Sequence, residues 1–254
     1  MGSEERVRRA RTMAIVCTAM GIAAMVLAPM ARSASASAVP EGSGWIAAGN
    51  VHAFVYPPRT TSASPPPVTV MLHGLGGFPQ SACAPFVNAA TDRGWLVCPR
   101  GEDACGDGAR WRVRPEDDGR VVEASLDALA REHPDGVDAS SRRVLVGFSL
   151  GGIAAVRIAQ SEKDGHGRYV GLVVIASQVH PDGTLLARAG VKRVVLAAGD
   201  LDMTSAPLQA DARALNRVGL PTRFVSLGRV GHGYPADMAD IMSEPIAWVA
   251  GAAE

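Results

Sequence analysis

The stretch Val144-Leu145-Val146-Gly147-Phe148-Ser149-Leu150-Gly151-Gly152 constrains this chain more than any other. Its apolar start reads as a buried strand, and a helical pattern follows at once, from Gly152 to about Gln160. Between them stands Gly-x-Ser-x-Gly, with Ser149 at the centre. A strand that becomes a helix within a few residues must turn back sharply. That places Ser149 in a strained backbone conformation, tolerated only if Gly147 and Gly151 leave room on either side. The hydroxyl then stands clear of the sheet at a helix N-terminus, whose unpaired N–H groups favour developing negative charge.

The rest of the chain repeats this alternation of strand and helix. Trp45 to Tyr56 suggests one or two edge strands, with a hairpin around Gly49-Asn50. Pro57 to Pro67 is rich in Pro, Ser and Thr and reads as an exposed connection. Val68 to Leu72 is β-branched and apolar, as a central strand should be, and ends in His73-Gly74-Leu75-Gly76-Gly77. A helix is expected from about Ala84 to Arg93, then a strand from Trp95 to Cys98 and a long loop to Arg110. Glu116 or Asp117 starts a helix that carries Val121, Val122, Leu126 and Leu129 on one face and ends before Pro134. Beyond the serine, strands are expected at Tyr169–Ile175, Val191–Ala198 and Thr222–Leu227. Helical segments are expected at Pro181–Ala189 and Leu208–Val218, with a final helix broken near Pro245. Such a pattern predicts a mostly parallel sheet of about eight strands with helices on both faces. Ligands of such sheets bind at the carboxyl ends of the strands. His73, Ser149, Asp202 and His232 each lie just after a strand.

The N-terminus reads as a secretory signal. Arg6, Arg8, Arg9 and Arg11 precede an apolar segment from Met13 to Leu27, and Ala34-Ser35-Ala36 and Ala36-Ser37-Ala38 follow, both acceptable cleavage sites; an uncleaved membrane anchor is the alternative, since the segment nears spanning length. The expected organisation is a cleaved signal over residues 1–36 and a single domain over 37–254, secreted or periplasmic. The chain of 254 residues is 47% hydrophobic with no formal net charge, which suits one large-cored domain and gives no reason to expect a nucleic-acid partner. No stable membrane partner is expected after cleavage. Cys83, Cys98 and Cys105 remain in the mature chain at a spacing unlike a zinc site. In an oxidising compartment two of them can pair, and the long loop around Cys105 would gain most from a tie; three free buried thiols are the alternative.

A serine hydroxyl is a poor nucleophile without a base in hydrogen-bond reach and a third group to orient that base. His232 is the best-placed base, between Gly231 and Gly233 after the last strand; His180 is its rival. Asp200 and Asp202 both follow the strand ending at Ala198 and both are candidates for the orienting acid. Acyl transfer also needs N–H donors for an oxyanion. Leu150, just after the serine, supplies one, and Leu75 in the glycine-rich loop the other, with Gly76 the alternative to Leu75. His73 is expected to brace that loop. Phe78, Trp111, Met203 and Tyr234 flank these loops and are candidate pocket walls. No HExxH or clustered ligand set is present, so no metal and no cofactor is expected.

Taken together, His73-Gly74-Leu75-Gly76, Gly147-Phe148-Ser149-Leu150-Gly151-Gly152, Gly199-Asp200-Leu201-Asp202 and Gly231-His232 resemble the α/β-hydrolase superfamily. Within it the chain is similar to small secreted esterases: the dienelactone-hydrolase and carboxylesterase/thioesterase branch, and the feruloyl-esterase and polyhydroxybutyrate-depolymerase group. The resemblance implies an ester hydrolase acting on a small-molecule or polymeric ester through a Ser149–His232–Asp202 triad. The preference for Asp202 comes from the Gly-x-x-Asp pattern of the first branch, matched here by Gly199 and Asp202; the following Met203-Thr204-Ser205-Ala206-Pro207 departs from it. The short connection between Ile175 and Val191 leaves no room for a lid domain. Two other readings fit the same scaffold: a serine peptidase, and a secreted binding protein that has lost catalysis.

Overall fold

The computed structural model describes residues 39–60, 66–112, 115–134, 136–137, 142–162 and 168–251. The expected signal segment and part of the Pro/Ser/Thr-rich connection lie outside these residues. Among the described residues ten strands are formed: β1 (Gly44–Ala48), β2 (Val51–Tyr56), β3 (Val68–Leu72), β4 (Trp95–Pro99), β5 (Asp103–Cys105), β6 (Gly108–Arg110), β7 (Arg143–Phe148), β8 (Tyr169–Ile175), β9 (Arg193–Ala198) and β10 (Thr222–Ser226). The α-helices among the same residues are α1 (Pro79–Cys83), α2 (Val87–Thr91), α3 (Pro115–Glu132), α4 (Leu150–Ser161), α5 (Gly183–Ala189), α6 (Ser205–Arg217) and α7 (Met238–Ala250).

Eight strands make one sheet in the order β1-β2-β4-β3-β7-β8-β9-β10. The β1–β2 hairpin turns at Gly49-Asn50 and pairs antiparallel, as does β2 with β4; every other neighbour is parallel. The central strands are apolar at successive positions because both faces are covered. In β8, Leu172 and Val174 enter one core layer and Val173 and Ile175 the other. In β7, Leu145 faces the first layer while Val144 and Val146 face the second. The first layer packs against Leu129 of α3, Ile158 of α4, Leu186 of α5 and Leu208 and Leu215 of α6. The second is closed by Phe86, by Val87 of α2, and by Met238, Met242, Ile246 and Val249 of α7. This is the α/β-hydrolase architecture. It carries the turns after β3, β7, β9 and β10 to one rim.

Several local expectations are corrected. The helix expected from Ala84 begins earlier, with Pro79 in its first turn, and is interrupted by a 3-10 turn at Ala84–Phe86. Pro85 lacks the N–H that a continuous helix would need there. The segment read as a plain loop up to Arg110 contains the β5–β6 hairpin, reversed at Gly106 with φ +60°. α7 runs unbroken through Pro245. An interior proline costs about 3 kcal/mol, but burying Met242, Ile246 and Val249 on the same helix offsets more than that, at about 1.5–3 kcal/mol for each large apolar side chain. Among the described residues a disulfide joins Cys83 to Cys98, in place of the expected tie from Cys105 to either of them. Cys83 ends α1 directly over β4, with the two Cα atoms 6.3 Å apart, within bridging range.

Candidate active site

The elbow is built by close backbone contact. Ser149 has φ 54° and ψ −119°, one of two non-glycine residues with positive φ among those described. A Cβ on Gly147 would lie 2.3 Å from the Gly151 carbonyl oxygen, and one on Gly151 would lie 2.1 Å from that of Leu72. No side chain fits at either place, so the glycines let β7 and α4 meet tightly enough to force the serine outwards. The Ser149 N–H donates to the Ile175 carbonyl at 2.9 Å, and the Ser177 hydroxyl donates to the Ser149 carbonyl at 2.7 Å. The strained peptide is thus held by β8 and the residues just after it.

His232 Nε2 lies 2.9 Å from Ser149 Oγ, and His232 Nδ1 lies 2.8 Å from Asp202 Oδ2. An ionised carboxylate only accepts, so Nδ1 carries the hydrogen and Nε2 presents its lone pair to the serine hydroxyl. The Asp202 side chain is 1% exposed and that of His232 51%. Burial alone would raise the Asp202 pKa. The Thr204 N–H and hydroxyl, at 2.8 and 2.9 Å from Oδ1, together with His232, outweigh burial and hold the carboxyl below its ordinary range. The loops bearing the two residues are tied by backbone bonds, Leu201 N–H to the Val230 carbonyl and Asp200 N–H to that of Gly228.

The alternatives are separated by the same geometry. Asp200 accepts from the Ser226 hydroxyl, away from the imidazole. His180 pairs with Asp211 at 2.9 Å, and its side chain is 78% exposed. His73 is buried and spans two backbone groups: Nδ1–H donates to the Gly74 carbonyl at 2.7 Å, and Nε2 accepts the Gly101 N–H at 3.1 Å. Burial holds its pKa below the ordinary value against the pull of the Gly74 carbonyl, and Arg100 adds to the lowering. It is a neutral brace.

The Leu150 N–H opens α4 and has no acceptor within the helix. In the turn that follows β3, the Gly77 N–H closes on the Gly74 carbonyl at 3.0 Å and Gly76 has φ +68°. That bond leaves the Leu75 and Gly76 N–H groups outside the turn's own pairing. The turn after β3 lies against the elbow, where a Cβ on Gly74 would lie 3.4 Å from Ser149 Cβ, and N–H groups of this kind are what attack on a carbonyl would need for its oxyanion.

The four candidate wall residues divide. Phe78 and Met203 are exposed at this rim. Tyr234 packs its ring against Phe148 and Phe86, and its hydroxyl is buried without a partner. Trp111 is only 2% exposed and walls nothing; its indole N–H donates to the His73 carbonyl at 2.8 Å. The cavity of about 740 Å³ between α3 and the β1–β2 turn is lined by His52, Arg100, Glu102 and Asp127 among others, and contains none of Ser149, His232 or Asp202. Among the described residues no cluster of His, Cys, Asp or Glu suits a metal ion.

Three contributors were missed in the sequence. Thr204 bonds Asp202 from two positions along, a turn habit of Asp that could have been read from Asp-x-Thr. Phe148 lies 5.2 Å from the His232 ring between centroids, and Ser177 supports the elbow; neither leaves a sequence signal.

The fold and the hydrogen-bonded serine, histidine and aspartate define the class: an α/β-hydrolase fold with a triad-like relay at the carboxyl rim of its sheet. Solved structures of the same fold include a carboxylesterase from Mesorhizobium loti, 20% identical over 82% of this chain and 99% of its own, with a TM-score of 0.58. The esterase PE8 is 20% identical over 77% of this chain and 97% of its own, with a TM-score of 0.55. A Pyrobaculum calidifontis esterase is 16% identical, covering 100% of this chain and 94% of its own, with a TM-score of 0.59. At these identities the likeness is one of fold. No protein-family model matches the chain, and no curated protein matches it.

Proposed function

We propose that this protein is a serine-dependent carboxylic ester hydrolase. The observation that carries the reading is the continuous relay from Ser149 Oγ through His232 to a buried, ionised Asp202. His232 Nε2 takes the hydroxyl proton as Ser149 Oγ bonds to the ester carbonyl carbon. The resulting oxyanion is held by the Leu150 N–H and by that of Leu75, with Gly76 the alternative. The imidazolium then gives its proton to the departing alcohol, and the acyl-enzyme remains. Water, deprotonated by the same imidazole, attacks that ester; the bond to Ser149 Oγ breaks, the imidazolium returns its proton to Oγ, and the acid is released. Asp202 stays ionised throughout and holds the imidazole in the productive tautomer. That solved structures of the same fold include carboxylesterases and esterases supports an ester over an amide substrate.

Secretion through cleavage of residues 1–36 belongs to the same proposal. The Cys83–Cys98 disulfide supports an oxidising compartment. The deciding experiment is labelling by a fluorophosphonate probe with turnover of short p-nitrophenyl esters. Ser149→Ala is expected to lose both. A wild-type protein that neither labels nor cleaves esters would return the chain to the binding-protein reading, and cleavage of aminoacyl anilides in preference to esters would favour the peptidase. N-terminal sequencing of the exported protein checks the cleavage site.

A further inference from the structure

The segment after β4 wraps the back of the loop that carries Leu75. Gly101 donates its N–H to His73 Nε2 at 3.1 Å. The β5–β6 hairpin extends the loop by an antiparallel bridge, in which the Ala109 N–H donates to the Gly77 carbonyl at 3.1 Å. Gly108 presses so close that a Cβ there would lie 2.0 Å from the Gly76 carbonyl oxygen. Trp111 closes the strap. Its indole sits 5.1 Å from the His73 ring and donates to the His73 carbonyl. Outside, Asp103 fastens the two hairpin ends, accepting from Arg112 Nε and Nη2 at 2.9 and 2.8 Å and from Arg110 at 3.4 Å. The sequence read these residues as a long loop and Trp111 as a pocket wall; together they form a clamp on one side of the oxyanion site.

We infer that the strap from Gly101 to Arg112 sets the position of the Leu75 and Gly76 N–H donors, with Trp111 its positioning residue. The inference rests on the ester-hydrolase reading above. The physical ground is that the donor loop has few anchors of its own. It is glycine-rich, its internal bonds from the Gly77 N–H and His73 Nδ1–H both end on the Gly74 carbonyl, and its peptides on both sides are held by the strap. Donors preorganised in this way act only on the charge that develops in the transition state. Loosening them therefore lowers kcat and transition-state affinity while ground-state binding changes little.

The test compares Trp111→Phe with the wild type on p-nitrophenyl butyrate, using fluorophosphonate titration to count competent sites. The expected result is a fall in kcat of about ten- to a hundredfold, below the loss for outright removal of a donor. KM should stay within about twofold. The inhibition constant of a trifluoromethyl ketone should rise by the same factor as kcat/KM falls. The pH midpoint of kcat/KM should stay in place, because the relay through His232 is untouched. Asp103→Asn, which loosens the strap from outside the core, should reproduce a smaller part of the same pattern and decides the matter if Trp111→Phe does not fold. Folded variants with unchanged kcat and ketone inhibition, or with KM alone raised, overturn the inference. An inactive, unlabelled wild type overturns the ester-hydrolase reading itself.

Discussion

The elbow makes a quantitative prediction that inverts a common rule. Ser149→Gly and Ser149→Ala both delete the hydroxyl and its 2.9 Å bond to His232, so both should be inactive. They differ only at the backbone and Cβ. At an ordinary position glycine is the less stable by about 0.5–1 kcal/mol, because the unfolded chain gains freedom. At φ 54° and ψ −119° an L residue is strained, by about 1–3 kcal/mol, and glycine relieves it. Losing one half-buried Cβ takes back about 0.5 kcal/mol. With about 2 kcal/mol of strain, the net is about 1 kcal/mol in favour of glycine. For a domain of this size that is about 2–4 °C in Tm. Urea unfolding of the two variants side by side measures it. If alanine is as stable as glycine, the strain argument fails, and with it the claim that Gly147 and Gly151 drive the serine into a costly conformation.

Other outcomes follow from the same geometry. Asp202→Asn should lower kcat/KM by about a thousandfold or more, since the imidazole loses its orienting acceptor, while Asp200→Ala stays within a few-fold; steady-state ester hydrolysis distinguishes them. Asp202 has a folded-state pKa below its unfolded value of 3.8, so its stabilising contribution is complete above that value and is lost as pH falls through the lower folded value. His73 is also lowered, from 6.5, so stability falls as its unfolded form takes up a proton below that pH. Tm followed on acidification should therefore decline below about pH 6.5 and more steeply in the carboxylate range, and Asp202→Asn should flatten the lower part. Tyr234→Phe removes a buried hydroxyl that has no partner, so urea midpoints should show a change between zero and about 1 kcal/mol of stabilisation. Replacing both Cys83 and Cys98 by alanine opens a loop of 15 residues and should cost about 3 kcal/mol in the same assay.

Much of this molecule was legible from local pattern. β3 and β8 fall where their apolar runs predicted, the β1–β2 hairpin turns at Gly49-Asn50, and the strand–serine–helix passage stands where Gly-x-Ser-x-Gly placed it. A continuous apolar run can only be buried on both faces, and close glycines mark a tight turn, so these need no knowledge of the rest of the chain. α3 could likewise be read from its apolar face.

What the sequence left open turned on neighbours that only the strand order creates. Two aspartates stand two residues apart after β9, and periodicity cannot choose between them. The loop after β10 bonds back to the Asp202 loop, and this places Asp202, not Asp200, against the imidazole. His180 gives way to His232 as base because the loop after β10 brings the His232 ring, not that of His180, within 2.9 Å of Ser149 Oγ. Trp111 and the hairpin before it acquired their place because β4 pairs between β2 and β3, which brings the chain leaving β4 behind the loop leaving β3. The Cys83–Cys98 tie depended on α1 lying over β4. Local sequence settles where a chain is buried and where it turns, because those energies act within a few residues. Which side chains meet across a sheet is settled by long-range packing of whole layers, and that carried Ser149, His232 and Asp202 to a common rim.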